Sequence, residues 1–204
     1  MKKSSRKNRE PTTGEVFTKP EVVAYMMQEV MCAGRFANWR GLRVLEPSCG
    51  DGAFVLPLVR ALVSESPDWH DDSLGGFLRA CDISEKNIQT AREAVADILR
   101  SAGCPRSICE HLISKWFLVC DFLLYDFSIP FDVIIGNPPY IRFDDLSSEQ
   151  QCRYRERYKT FSERCDIYVP FFERSLGLLS ERGVFSFICS IVSRRAVTGG
   201  GFAA

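Results

Sequence analysis

The sequence carries no net charge. Its 26 lysines and arginines are matched by 26 aspartates and glutamates, so no global positive field exists to draw in a polyanion. An intact duplex-binding protein usually shows a basic face or stripe; any contact with DNA must here rest on local charge or on another segment. Histidine is scarce, with 2 in 204 residues, and the 9 cysteines include no Cys-x-x-Cys pair. Cys104, Cys109 and His111 come nearest to a metal cluster, but their spacing argues against a zinc cage, and the odd, scattered set argues against a disulfide scaffold. No metal is expected. The thiols are expected to be reduced, several of them packed as small hydrophobes, as in a cytoplasmic protein. Long apolar runs are also missing. None approaches the ~20 residues that span a bilayer, and the basic start, residues 1–9, leads into no apolar signal segment. There is no internal repeat.

What is present is a core-forming composition. With 46% hydrophobic residues, a chain of this length can bury one sizeable core. The expected organisation is a disordered basic tail over residues 1–13, one core over 14–190, and an irregular tail over 191–204. Thr18-Lys19-Pro20-Glu21 has the form of a helix start, with Thr18 as N-cap and Glu21 closing a capping box. Val22, Val23, Met26 and Val30 then share a helix face. Strands are expected at 42–45, 77–83, 116–120, 131–135 and 184–188, and helices at 54–63, 85–100 and 166–179. The polar stretch 64–76 reads as a surface loop.

Strands alternating with helices predict an α/β fold: a Rossmann-like, doubly wound, mostly parallel sheet. Ligands of such sheets sit beyond the carboxyl ends of the strands. Glu46, Asp82, Asp121 and Asn137 all fall at those ends, and that coincidence marks a candidate site.

Glu46-Pro47-Ser48-Cys49-Gly50-Asp51-Gly52 is a strand-loop-helix turn whose glycines let the backbone pass close under a ligand. A dinucleotide loop is built to meet phosphate, whereas this one is headed by an acid suited to a cation. Asp82, ending the next strand, is placed to accept hydrogen bonds from ribose hydroxyls. Asn137-Pro138-Pro139-Tyr140 follows the apolar strand Phe131-Asp132-Val133-Ile134-Ile135-Gly136. Asn before Pro is held out of the helical region, and neither proline has an N–H to donate. The result is a stiff loop rich in acceptors beside an aromatic ring. An amino group on a π-system needs that environment, because its lone pair is delocalised into the ring. The Asn137 side-chain oxygen and the Pro138 carbonyl can hold both amino hydrogens and turn the lone pair toward an electrophile, while Tyr140 stacks on the ring.

Asn-Pro-Pro-Tyr, preceded by Val44-Leu45-Glu46-Pro47-Ser48-Cys49-Gly50-Asp51-Gly52-Ala53-Phe54, resembles the amino-methyltransferases that use S-adenosyl-L-methionine. More narrowly, it resembles the N6-adenine DNA methyltransferases of restriction-modification systems. Gly14-Glu15-Val16-Phe17-Thr18-Lys19-Pro20-Glu21-Val22-Val23 is similar to that family's N-terminal cofactor motif. The resemblance implies that Thr18, with Phe17 beside it, holds the methionine moiety, and that Glu46, Ser48 and Gly50 line it. It implies further that Asp82 takes the ribose with Ile83 against the adenine, that Asp121 bonds the adenine amino group, and that Phe122 covers its ring. Asp166-Ile167-Tyr168-Val169-Pro170-Phe171-Phe172-Glu173 resembles the helix closing the pocket, with Phe171 as its contact. The implied partner is double-stranded DNA with an adenine flipped into the pocket.

The chain also departs from that family. Fewer strands are visible than in a complete sheet of this type. Ile191-Val192-Ser193-Arg194-Arg195 and Gly199-Gly200-Gly201-Phe202-Ala203-Ala204 match neither the family nor a strand pattern. A second base-stacking aromatic and a recognition domain have no counterparts after Ser190, and the fifth strand would be left as an apolar edge. The expectation is of a shortened core, dependent on a partner chain or a missing portion, without sequence-specific activity alone. Other readings stay open: a non-catalytic cofactor-binding fragment, a glutamine methyltransferase acting on release factors, and a methyltransferase acting on guanine amino groups of RNA. Against the glutamine enzyme stand the Thr18 motif, Glu46-Pro47-Ser48-Cys49, and the lack of an N-terminal helical substrate domain.

Overall fold

The computed structural model describes residues 18–162 and 165–189. The expected tails at 1–13 and 191–204 lie outside them. Five parallel strands form one sheet: β1 (Val44–Glu46), β2 (Leu78–Asp82), β3 (Phe117–Val119), β4 (Phe131–Gly136) and β5 (Leu179–Phe187). Their order is β3-β2-β1-β4-β5, so the chain reverses its winding between β1 and β4. All pairings are parallel.

Among the described residues six α-helices accompany the sheet: α1 (Pro20–Gly34), α2 (Val55–Ser64), α3 (Glu85–Ser101), α4 (Arg106–Trp116), α5 (Ser148–Arg157) and α6 (Tyr168–Leu178). β4 shows why both faces are needed. Val133 and Ile135 pack into one core with Val23, Leu58, Val59, Ile88, Val95 and Trp116. Phe131 and Ile134 point the other way, into a core with Phe122, Tyr154 and Phe171. Successive strand residues face opposite sides, and a register shift between Phe131 and Val133 turns Phe131 to the second face, so a strand with apolar side chains on both faces has to be covered twice. Among the described residues no helix is long and apolar enough to cross a membrane.

Four expectations are corrected by the fold. Thr18 does not cap α1: the N-cap is Lys19 and no side chain bonds the helix start, because the Thr18 hydroxyl is taken by a residue far along the chain. Helices α4 and α5 were not foreseen. The 64–76 stretch contains a 3-10 turn, Asp72–Gly76. The last strand begins at Leu179 rather than 184, directly where α6 ends.

A strand-end crevice as candidate functional site

β1, β2 and β4 are neighbours in the sheet, and each delivers a polar group to the same end. Glu46 is the last residue of β1 and is 1% exposed. The Ser48 backbone N–H reaches its Oε1 over a long 3.4 Å. Burial pushes its pKa up to about 8, the Asp82 charge adds to the rise, and the Ser48 N–H works against it. This acid is therefore mostly protonated at neutral pH, and a cation beside it would restore its charge. Gly136, at the end of β4, leaves room for it. A Cβ there would lie 2.3 Å from Glu46 Oε1.

The loop after β1 is built on left-handed glycines, with φ of 52° at Gly50 and 107° at Gly52. It is tied to β2 by Cys49 N–H donating to the Cys81 carbonyl at 2.8 Å. Gly50 N–H donates to Asp82 Oδ2 at 2.9 Å, and Ser84 N–H donates to Asp82 Oδ1 at 2.8 Å. One carboxylate thus fixes both the loop and the entry to α3, whose N-cap is Ser84. A Cβ on Gly50 would meet nothing within 4 Å, so the loop presents its backbone to open space.

Asn137 follows β4 by one residue and is held at three points. Its Nδ2 donates to Thr18 Oγ1 at 3.2 Å. Its carbonyl accepts from Ser48 Oγ at 3.1 Å. The Tyr140 hydroxyl lies 2.9 Å from Asn137 Oδ1 and 3.0 Å from the Ile188 carbonyl, sharing its proton between them. Pro138 is buried while Pro139 and Tyr140 are half-buried. The far side of this loop is anchored by Ile167 N–H donating to the Ile141 carbonyl at 2.9 Å and by a bridge between Arg142 and Asp166.

Thr18, Glu46, Ser48, Gly50, Asp82, Asn137 and Tyr140 accordingly belong to one stretch of connected structure. Ile83 stands at its rim, 71% exposed. Asp121, two residues beyond β3, is held by Leu123 N–H on Oδ1 at 2.9 Å and by the Tyr154 hydroxyl on Oδ2 at 2.7 Å. Phe122 and Phe171 pack on each other with centroids 4.9 Å apart. Both are buried in the core that holds Phe131, Ile134 and Tyr154, so they stand as wall rather than as open faces. Phe17 lies outside the described residues.

Two participants were not foreseen. Tyr154 reaches Asp121 from α5, and Tyr168 of α6 lies 6.5 Å from Tyr140, ring to ring. The only signal for Tyr154 was its place among Tyr158 and Phe161, whose rings line one side of an otherwise charged segment.

The residues fit S-adenosylmethionine. A buried acid with one long contact suits the cationic methionine end, and a left-handed glycine loop open to solvent admits a ligand backbone-close.

Comparison with known proteins identifies the family and the fold. The model of the Eco57I restriction-modification methylase family matches residues 82–200. The type II methyltransferase M.XhoI of Xanthomonas vasicola is 35% identical over 186 residues, covering 87% of this chain and 33% of its own length. M.PaeR7I of Pseudomonas aeruginosa is 35% identical over 184 residues, with 87% and 32% covered. This chain therefore spans about a third of the length of the curated relatives it matches. Among solved structures, the Type ISP restriction-modification enzyme LlaGI, determined with a DNA substrate mimic, aligns with TM-score 0.62 at 18% identity, over 85% of this chain and 20% of that one. A candidate class I S-adenosylmethionine-dependent methyltransferase from Listeria monocytogenes aligns with TM-score 0.52 at 16% identity, over 82% and 43%. At these identities the likeness speaks for the fold.

Proposed function

The chain belongs to the Eco57I restriction-modification methylase family and has the class I methyltransferase fold, and on that premise we propose that its strand-end crevice transfers a methyl group to the exocyclic amino group of adenine in DNA. The observation that carries this reading is the tethering of Asn137. Its amide nitrogen is held by Thr18 and its backbone carbonyl by Ser48, which leaves the amide oxygen facing the Tyr140 hydroxyl. The Tyr140 proton has a second acceptor in the Ile188 carbonyl. An incoming amino group can therefore take the Asn137 oxygen while Tyr140 stays hydrogen-bonded.

S-adenosylmethionine supplies the electrophilic methyl group when bound. Glu46 and the 47–54 loop hold its methionine end, with Thr18 and Ser48 beside them. Asp82 accepts from the ribose hydroxyls, Ile83 packs on the adenine, and Asp121 accepts from the adenine amino group. Phe122 and Phe171 form the wall beneath. Asn137 Oδ1 and the Pro138 carbonyl each accept one hydrogen of the target amino group, which turns its lone pair toward the methyl group. Pro139 stiffens the loop, and Tyr140 stacks on the target base once it is flipped from the duplex. Catalysis of this kind rests on orientation and hydrogen-bond acceptors. The nitrogen–methyl bond forms as the sulfur–methyl bond breaks, its electron pair staying on sulfur, and the methylated nitrogen gives up one proton to solvent.

The curated relatives are type II methyltransferases about three times the length of this chain, and two solved structures of similar fold are restriction-modification enzymes determined with DNA or a DNA mimic, which supports a DNA substrate. The test therefore supplies the rest of the enzyme. Residues 18–189 replace the aligned segment of the Xanthomonas vasicola relative, and the hybrid is incubated with tritiated S-adenosylmethionine and duplex DNA. Label in N6-methyldeoxyadenosine, lost with Asn137→Ala, is the expected result. Label in methylcytosine would overturn the assignment to adenine.

A further inference from the structure

Asp121 is fixed from two directions by residues of very different origin. Leu123 N–H is local, two residues on. The Tyr154 hydroxyl comes from the next-but-one segment, 33 residues downstream. Tyr154 is the only buried residue of α5, and its ring meets Phe161 edge-on at 5.6 Å. The helix itself is clamped. Ser147 and Gln150 form a capping box, and Gln151 Nε2 donates to the carbonyls of Phe143 and Leu146, both at 3.1 Å. Burial first, and then the bond to Asp121, holds the phenol far above its ordinary range, so the hydroxyl is a donor at any working pH.

A carboxylate offers about four acceptor directions. One donor leaves it free to rotate about its last torsion; two donors on different oxygens do not. With Leu123 and Tyr154 each taking one direction, each oxygen of Asp121 keeps one for a ligand, in a fixed plane. A ligand with an N–H donor at that point gains from the fixed plane, whereas one carrying only hydrogen on carbon there gains nothing.

We propose that Tyr154 is the positioning residue for Asp121, so that α5 sets the preference for a cofactor bearing a 6-amino group over one lacking it. This rests on the reading that Asp121 takes the adenine amino group. Because α5 follows directly on the Asn-Pro-Pro-Tyr loop and its 3-10 turn, Phe143–Asp145, one rigid insert then serves the target side and the cofactor side of the crevice together.

The experiment is calorimetric titration of the full chain with S-adenosylhomocysteine and with its analogue carrying hydrogen in place of the 6-amino group. Wild type should prefer the amino form. Tyr154→Phe should weaken the amino form by about three- to tenfold and leave the analogue unchanged, so that the preference shrinks. Phe161→Leu loosens the same packing but keeps the hydroxyl, and should leave the preference intact. Equal weakening of both ligands by Tyr154→Phe, no weakening, or loss of the preference in Phe161→Leu would each overturn the proposal. Asp121→Asn separates the two levels of the claim. If it removes the preference while Tyr154→Phe does not, Tyr154 is dismissed and the role of Asp121 stands. If neither changes it, both fall.

Discussion

Gly136 and Glu46 occupy each other's space: a Cβ on the one would stand 2.3 Å from a carboxylate oxygen of the other. The end of β4 is therefore shaped around the acid at the end of β1, which is buried at 1% exposure. Gly136→Ala must displace backbone or carboxylate, and overpacking of this kind costs about 1–3 kcal/mol. Denaturant titration should show that loss. Shortening the acid as well, in Gly136→Ala/Glu46→Ala, should recover part of it. A single variant as stable as wild type would contradict the packing.

Glu46 also makes stability depend on pH. In the unfolded chain it ionises near 4.5, and in the fold only near 8. Below the lower value both states are protonated and the group is neutral to stability. Between the two, only the unfolded state releases its proton, so stability falls as pH rises, until the loss is complete above about 8. Glu46→Gln removes this dependence. Its melting temperature should exceed that of wild type by a margin that widens from pH 5 to pH 8. A constant margin would show that Glu46 is ionised in the fold.

Asn137 acts on the target rather than on the cofactor in this account. In the hybrid enzyme, Asn137→Ala should abolish methyl transfer with cofactor affinity nearly unchanged. Thr18→Val keeps the shape of the side chain but removes the hydroxyl that holds the amide nitrogen, and should lower kcat. Tyr140→Trp should keep activity through its larger ring, while Tyr140→Ala should lose about 1–3 kcal/mol of base binding. Single-turnover kinetics beside cofactor titration separates these effects. Undiminished transfer by Asn137→Ala would end the mechanism.

Much of this site was legible because the strands that carry it are buried on both faces. Leu45, Cys81 and Ile134 are all inaccessible, and such strands appear as mainly apolar runs, broken by Arg79 in β2 and Asp132 in β4, that give way to a polar residue at the carboxyl end. Glu46, Asp82 and Asn137 are those residues. Thr18 was misassigned because Ser or Thr before Pro and Glu is a local capping pattern, whereas its hydroxyl is claimed by Asn137, 119 residues away. No short-range rule anticipates such a contact. Helix α5 was missed for the opposite reason. Its sequence, SEQQCRYRER, has a single buried position, so there is no apolar stripe to read. The start of β5 was displaced because Leu178 ends a helix and Leu179 begins a strand, with no turn residue between them.

DNA affinity of this polypeptide should be low and shallow in salt. Several cations downstream of the active loop have partners within the fold. Arg157 pairs with Asp126, Arg153 lies 3.9 Å from Glu149, and Arg155 lies over the Phe143 ring. Each phosphate neutralised contributes a slope of about −0.9 in log affinity against log salt. Fluorescence anisotropy with a mixed-sequence duplex should therefore give a slope of only about −1 to −3. A steeper slope would reveal a phosphate-binding surface that the charge pattern does not suggest.

If the ends of β1, β2 and β4 form one S-adenosylmethionine site, Asp82 is the residue to remove, because its carboxylate joins the glycine loop to β2. The measurement is calorimetric titration of S-adenosylmethionine into wild type and Asp82→Ala, with the fold of each checked by circular dichroism. Loss of a charge-assisted hydrogen bond costs about 1.5–3 kcal/mol, so affinity should fall by roughly ten- to a hundredfold. An unchanged affinity in a folded Asp82→Ala protein would contradict the account.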